Sequence, residues 1–253
     1  MVGTGIQIVG QTTLEARDVI RRAEKVLHVV ADDATASWLK RLNPSAESLY
    51  PLYRQGKPRA ETYEAMVEAV LSLVRKGMRV CFASYGHPGV FDYSSHESIR
   101  RARNEGYRAR MLPGISAEDC LLADLGVDPG VDGCQSYEAT DFLLRRRRPD
   151  TTVPLILWQI GVIGQPGHVP GPTTSGKGLA LLAEVLREQY GGDHGVTVYR
   201  TSLFPGSEPS VNRLTVAGLA DATVEKMATL FVPPLRSAPV DPAMAERLGV
   251  LRA

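Results

Sequence analysis

The sequence predicts an α/β fold of two domains, and three patterns predict it. In the first half, short apolar runs alternate with segments whose apolar residues recur at helical spacing, the signature of strand–helix units feeding a mostly parallel sheet. Glycine-rich turns follow the ends of those runs, where such sheets hold their ligands. Beyond residue 125 the texture changes to loops rich in Gly and Pro between later runs, which reads as a second domain. The expected boundaries are 1–124, 125–236 and a tail over 237–253.

Each element has its own signal. Val2 to Ile6 closes a strand that runs into a glycine turn, and Thr12-Thr13-Leu14-Glu15 has capping-box spacing, opening a helix through Lys25. Val26 to Val30 is a buried strand stopped by Asp32-Asp33. Thr62 caps a helix whose Met66, Val67, Val70, Leu71 and Val74 share a face, and Lys76-Gly77 ends it. A strand over Arg79–Ser84 and a helix over 95–105 lead to a strand over Arg108–Leu112. Pro113-Gly114 turns the chain into a second capping box, Ser116-Ala-Glu-Asp119, whose helix ends near Gly126. In the second half, Asp128–Gly133 is loop and Arg145–Pro149 a basic loop. A strand over Pro154–Ile160 precedes a long Gly/Pro excursion over Gly161–Gly178. A helix over Leu179–Tyr190 and strands over Val196–Arg200 and Met227–Val232 complete the order, with Pro233-Pro234 as the stop.

Composition narrows the function classes. A hydrophobic content of 43% and a charged content of 23% are those of a globular protein, and a net charge of +1 disfavours a nucleic-acid binder. Cys81, Cys120 and Cys134 are odd in number and lack C-x-x-C spacing, which argues against a disulfide framework or a zinc site and for a reducing cytoplasm. No apolar run approaches the roughly 20 residues of a membrane span. His96, His168 and His194 lack ligand spacing, so no metal is expected.

Three of the nine tyrosines, Tyr50, Tyr53 and Tyr63, fall within fourteen residues, with Arg59 among them. A guanidinium stays charged, stabilises a neighbouring phenolate and can polarise a carbonyl oxygen, so the segment can do proton chemistry; the plain alternative is a turn rich in surface tyrosines. Gly3-Thr4-Gly5 suggests a dinucleotide turn, but Gly10 comes two residues too late for G-x-G-x-x-G, which excludes a nicotinamide fingerprint. Tyr85-Gly-His-Pro-Gly-Val-Phe91 and Pro113-Gly-Ile-Ser-Ala117 each follow a strand and expose bare backbone. With Gly3-Thr4-Gly5 they imply a ligand cleft. His87, flanked by Gly and Pro, reads equally as a base or as structural. Arg145–Arg148 reads as a solvated loop, or else as a contact for an acidic partner.

These strings resemble those of the tetrapyrrole methylase superfamily. Several point to one branch, the borosin-class peptide backbone α-N-methyltransferases: Gly56-Lys-Pro-Arg59 with its tyrosines, Tyr85–Phe91, Ala109–Cys120, Ala123-Asp-Leu125, Tyr137-Glu-Ala-x-Asp-Phe142, Trp158-Gln159 and Thr229–Pro234. The resemblance covers essentially the whole chain. It implies a two-domain fold holding S-adenosylmethionine in the interdomain cleft, with S-adenosylhomocysteine as product and no metal. By position, Tyr50, Tyr53, Arg59 and Tyr63 match the peptide-side catalytic residues. Gly3, Gly5, Tyr85, Gly86, His87, Val90, Phe91, Ser116, Ala117, Gln159 and Thr201 match the donor-side residues, although Thr201-Ser202 departs from the small apolar residues expected there. The chain stops at Ala253 without a substrate-bearing extension, so the resemblance implies a split enzyme. Such an enzyme methylates a separate ribosomal precursor peptide (a RiPP of the borosin pathway), iteratively, as a cytoplasmic homodimer in a 2:2 complex. The short first strand also fits a displaced start.

The chemistry assigns roles. Arg59 and Tyr63 would hydrogen-bond the substrate carbonyl oxygen, Tyr53 would take the amide proton with help from Arg59, and Tyr50 would line the peptide path. The competing readings are a methyltransferase for a tetrapyrrole or other small molecule on this fold, and a non-catalytic peptide-binding module.

Overall fold

The computed structural model describes residues 1–30, 32–54, 56–165, 167 and 176–250. Two compact units emerge. The first takes in the described residues of Met1–Gly126, Gln165–Gly171 and Thr201–Ser210; the second takes in those of Val127–Gly164, Pro172–Arg200 and Val211–Ala253.

The first unit is built on four parallel strands: β1 (Val2–Gly3), β2 (Lys25–Val29), β3 (Glu47–Ser48) and β4 (Val80–Ser84), in the order β1-β4-β2-β3. Strand alternation sends Val26, Cys81 and Ala83 to one face, against α1 (Leu14–Arg22) and α2 (Asp33–Leu42). Leu27 and Phe82 go to the other, against α3 (Arg59–Arg75). Val67 and Leu71 on the far side of α3 then pack on Ala102 of α4 (Tyr93–Asn104), and α5 (Ala117–Leu125) follows. Register sets the position of the site. Gly3 and Val29 both pair with Ser84, so β1, β2 and β4 end at one level. His28 pairs with Ser48, which brings the end of β3 to the same edge. Every loop that follows these strands therefore emerges together.

Several expected boundaries move, each for a local reason. The first helix ends at Arg22, because Lys25 pairs with Val80 as the first residue of β2. Its cap is Thr13, whose hydroxyl accepts the Ala16 N–H, while Thr12 instead donates to Thr4 O at 2.7 Å. The third helix starts at Arg59 behind Pro58, one turn before Thr62, which is buried inside it. Arg108–Leu112 forms no strand; its link to the sheet edge is the bond from Leu112 N–H to Met1 O, with the Met1 amine on Arg110 O. The second capping box is present as read: Ser116 and Asp119 satisfy each other's backbone N–H, and Gly126 adopts the left-handed cap.

The second unit holds β5 (Gln135–Glu138), β6 (Leu155–Trp158), β7 (Gly195–Arg200), β8 (Ser210–Thr215) and β9 (Thr229–Val232) in the order β5-β6-β9-β7-β8. β5 and β6 run parallel, and β9 runs antiparallel to both β6 and β7. Its core joins Leu155, Leu157, Val198 and Leu230 to α7 (Ala139–Leu144) and α8 (Gly176–Tyr190). Asp128–Gly133, read as loop, contains the one-turn α6 (Pro129–Asp132), and the tail carries the short α9 (Pro242–Arg247). Asp141 pairs with Arg145 and Arg147, and Arg147 lies 4.8 Å over the Tyr137 ring, so half of the basic run is tied down. Among the described residues, no helix is long and apolar enough to cross a membrane and no cluster of His, Cys, Asp and Glu could hold a metal. His168 lies outside the described residues.

Candidate active site

At the carboxyl edge of the first sheet, three loops meet backbone to backbone. Gly5 and Gly86 bridge, with Gly86 N–H donating to Gly5 O at 2.9 Å. A Cβ on Gly3 would lie 2.1 Å from Gly86 O, and one on Gly114 would lie 2.9 Å from the same oxygen and 3.1 Å from Gly3 Cα. Side chains are excluded there by contact, and Gly5 and Gly86 also need φ near +72°. Gly3-Thr-Gly5, Tyr85–Phe91 and Pro113–Ala117 thus form one surface, as the shared strand ends led one to expect.

The neighbouring side chains fix this surface. His87 Nδ1 accepts the Gly89 N–H at 2.8 Å, so its ring locks the turn and Nε2 carries the ring proton. Asp92 accepts from Ser84 Oγ, from Ser95 Oγ at 2.7 Å and from Ser95 N–H at 3.0 Å, tying the end of the loop to β4 and α4. Phe91, just before it, holds φ +51° with about half its surface exposed, a strained and open placement for an aromatic residue. Val90 beside it is exposed as well. Gln11 was not singled out from sequence, yet its Oε1 accepts both the Ile6 and Gln7 N–H groups, at 2.8 and 2.9 Å, and its Nε2 reaches Cys120 Sγ. Only its place six residues after Gly5 hinted at this. Ser116 is buried in its cap with Ala117 after it, and Thr201 is buried in the first unit. Gln159 belongs to the second unit, at φ +59° directly after β6.

The tyrosine segment leaves β3 at the same sheet edge. Tyr50 opens a 3₁₀ turn, Tyr53 follows it, and Arg59 and Tyr63 lie on the first turns of α3. The rings form a chain: Tyr50 to Tyr53 at 5.4 Å, and Tyr53 to Tyr63 at 6.4 Å edge-on. Tyr53 and Tyr63 pack on the core around Leu27 and Met66, while Tyr50 is exposed. Burial pushes the Tyr53 phenol well above the usual tyrosine range; the charge of Tyr63 and a hydrogen bond with it add to this, and Arg59 opposes it more weakly. Arg59 therefore does not bring this phenol toward neutrality as the sequence suggested. Desolvation outweighs the guanidinium, and Tyr53 rests protonated. A fourth ring, Tyr93 of α4, stands 6.2 Å from Tyr63 and was missed because thirty residues separate the two in sequence.

The model of the family described as tetrapyrrole (corrin/porphyrin) methylases matches residues 1–204. The chain belongs to the tetrapyrrole methylase family. Relatives of this chain are described as methyltransferase/ribosomally synthesized cyclic peptide precursors. That of gymnopeptides from Gymnopus fusipes is 42% identical over 100% of this chain and 61% of its own length. That of omphalotin A from Omphalotus olearius is 41% identical over 92% of this chain and 57% of its own. A type III borosin precursor from Anomoporia bombycina is 40% identical over 100% of this chain and 30% of its own. The chain thus spans between 30% and 61% of the length of these relatives. Among solved structures, uroporphyrin-III-C-methyltransferase from Thermus thermophilus aligns with a TM-score of 0.63 at 20% identity over 92% of this chain and 93% of its own, a likeness of fold.

Proposed function

We propose that this chain is an S-adenosylmethionine-dependent methyltransferase that α-N-methylates backbone amides of a separate ribosomal precursor peptide, acting iteratively. One observation carries the reading: the Arg59–tyrosine group and the glycine loops share one sheet edge, in a chain about 40% identical to relatives named as both methyltransferase and peptide precursor. Three cysteines, odd in number and without C-x-x-C spacing, suit a cytoplasmic setting, and the exposed apolar residues Met244, Leu248 and Val250 of the tail are available to a second copy in a homodimer.

The loops fit the donor. The zone where Gly3, Gly86 and Gly114 meet admits no side chain, which leaves backbone groups to face a nucleoside, and the open Phe91 and Val90 offer apolar cover. Gly3, Gly5, Tyr85, Gly86, His87, Val90, Phe91, Ser116, Ala117, Gln159 and Thr201 are the proposed donor residues. Bound there, the donor supplies an electrophilic methyl group.

The protein's own work is on the amide, whose nitrogen is a poor nucleophile because its lone pair is shared with the carbonyl. Arg59 and Tyr63 donate to the carbonyl oxygen as negative charge gathers on it, which stabilises the imidate formed when the N–H proton leaves and so makes the nitrogen nucleophilic. Tyr53 accepts the amide proton as a phenolate, once its own proton has passed to solvent. Its raised phenol resists this in the resting enzyme, so transfer requires the peptide to be in place and the Arg59 charge beside it. Tyr50, exposed at the end of the ring chain, lines the peptide path.

Arg59→Ala and Tyr63→Phe test these roles. Each is expected to cut kcat by about 100- to 1000-fold, as loss of one oxyanion donor does, with S-adenosylmethionine affinity unchanged by calorimetry. Wild-type rates in Arg59→Ala would remove the assignment. Methylation of a porphyrinogen in preference to peptide would favour the small-molecule reading.

A further inference from the structure

The ring chain does not end at Tyr63. Tyr93 lies 6.2 Å from it, centroid to centroid, with an interplanar angle of 31°. Nearly half of Tyr93 is exposed, so burial does not hold this ring. Polar bonds do. Its phenol donates to Glu64 Oε1 at 2.6 Å, and Glu64 Oε2 accepts from Arg101 at 2.7 Å. Arg101 is itself fixed by Glu97 at 2.6 Å. Glu64 neighbours Tyr63 on α3, while Tyr93 and Arg101 belong to α4. The phenol–carboxylate bond therefore crosses between two helices and holds the Tyr93 ring beside that of Tyr63.

Tyr93 is also joined to the loop surface. It follows Phe91 and Asp92, and the Asp92 carboxylate is bound to Ser84 and Ser95. Three consecutive residues thus reach the strained loop, the end of β4 and the tyrosine chain. An exposed bond of this kind adds little to folding stability. Its consequence lies in geometry, since misplacing a reacting group by about 1 Å can cost up to about a hundredfold in rate.

We propose that Tyr93, clamped by Glu64 and Arg101, is a positioning residue for Tyr63 that ties its phenol to the Tyr85–Phe91 loop. The inference rests on the reading that Tyr63 acts on a peptide carbonyl. The test uses the full chain, S-adenosylmethionine and, as a separate peptide, the part of the Omphalotus olearius relative outside the match. Tyr93→Phe, Glu64→Ala and the double variant are compared. Each single change is expected to lower kcat on the order of tenfold, and the double change no further, because both break one interaction. Donor affinity and the thermal midpoint should hold, and Tyr93→Ala, which also loses the ring, should fall below Tyr93→Phe. Single variants within about twofold of wild type, losses that multiply, or rates that fall only with the thermal midpoint would overturn the clamp while leaving peptide methylation standing. An unaltered enzyme that leaves the peptide unmethylated would overturn both.

Discussion

Gly3→Ala is the sharpest structural test of the loop surface. The added Cβ would lie 2.1 Å from Gly86 O and 3.0 Å from Pro88 Cδ. Carbon and oxygen tolerate about 3.3 Å in close contacts, so Gly86 must retreat by roughly 1 Å. That movement strains the two bonds that bridge Gly5 and Gly86, now 3.3 and 2.9 Å. Overpacking costs about 1–3 kcal/mol, and each hydrogen bond lost costs about 1 kcal/mol. The entropic gain of a Gly→Ala change in the unfolded chain returns only about 0.4–1 kcal/mol. The net expectation is a loss of about 2–4 kcal/mol in urea unfolding, together with weakened S-adenosylmethionine binding by calorimetry. Gly10→Ala is the control, because its nearest neighbour would be 3.9 Å away and no positive φ is required. A Gly3→Ala protein within about 0.5 kcal/mol of wild type would refute the reasoning.

Two further outcomes follow from side-chain geometry. His87→Ala should cost about 1 kcal/mol of stability through the Gly89 bond, with kcat at saturating donor staying within a few-fold of wild type; a loss of about a hundredfold or more in kcat would make His87 a base. The raised Tyr53 phenol favours the protonated form in the folded state. Its contribution to stability is therefore present below about pH 10, the unfolded value, and is lost as pH rises above it. Urea midpoints should fall over that range in wild type and less steeply in Tyr53→Phe, while kcat/KM should climb with pH up to the alkaline limit of folding.

How much was legible in the sequence depended on whether a feature was local. The glycine loops could be read because backbone contact demands glycine at particular places, and the Ser116–Asp119 box because both partners lie within one turn. Asp32 reads as a strand stop, yet it also caps α2 by accepting from Thr35, a second role that one residue's type does not reveal. Arg108–Leu112 has strand composition but lacks a ladder, because β1 is only two residues long and offers it little to pair with. Tyr93, Asp92 and Gln11 act through partners brought near by the packing of α3 on α4 and by the folding-back of the first loop, and no spacing rule encodes that proximity. The Tyr53 shift was misjudged because burial beneath α3 and β2, not the neighbouring charge, decides it.

The most direct test of the central claim is to incubate the purified chain with S-adenosylmethionine and a separate precursor peptide, then map the product by fragment mass spectrometry. The account predicts successive single-methyl mass steps located on backbone nitrogens, absent in Arg59→Ala. A peptide that stays unmodified while the enzyme binds the donor, or methyl groups found only on side chains, would contradict it.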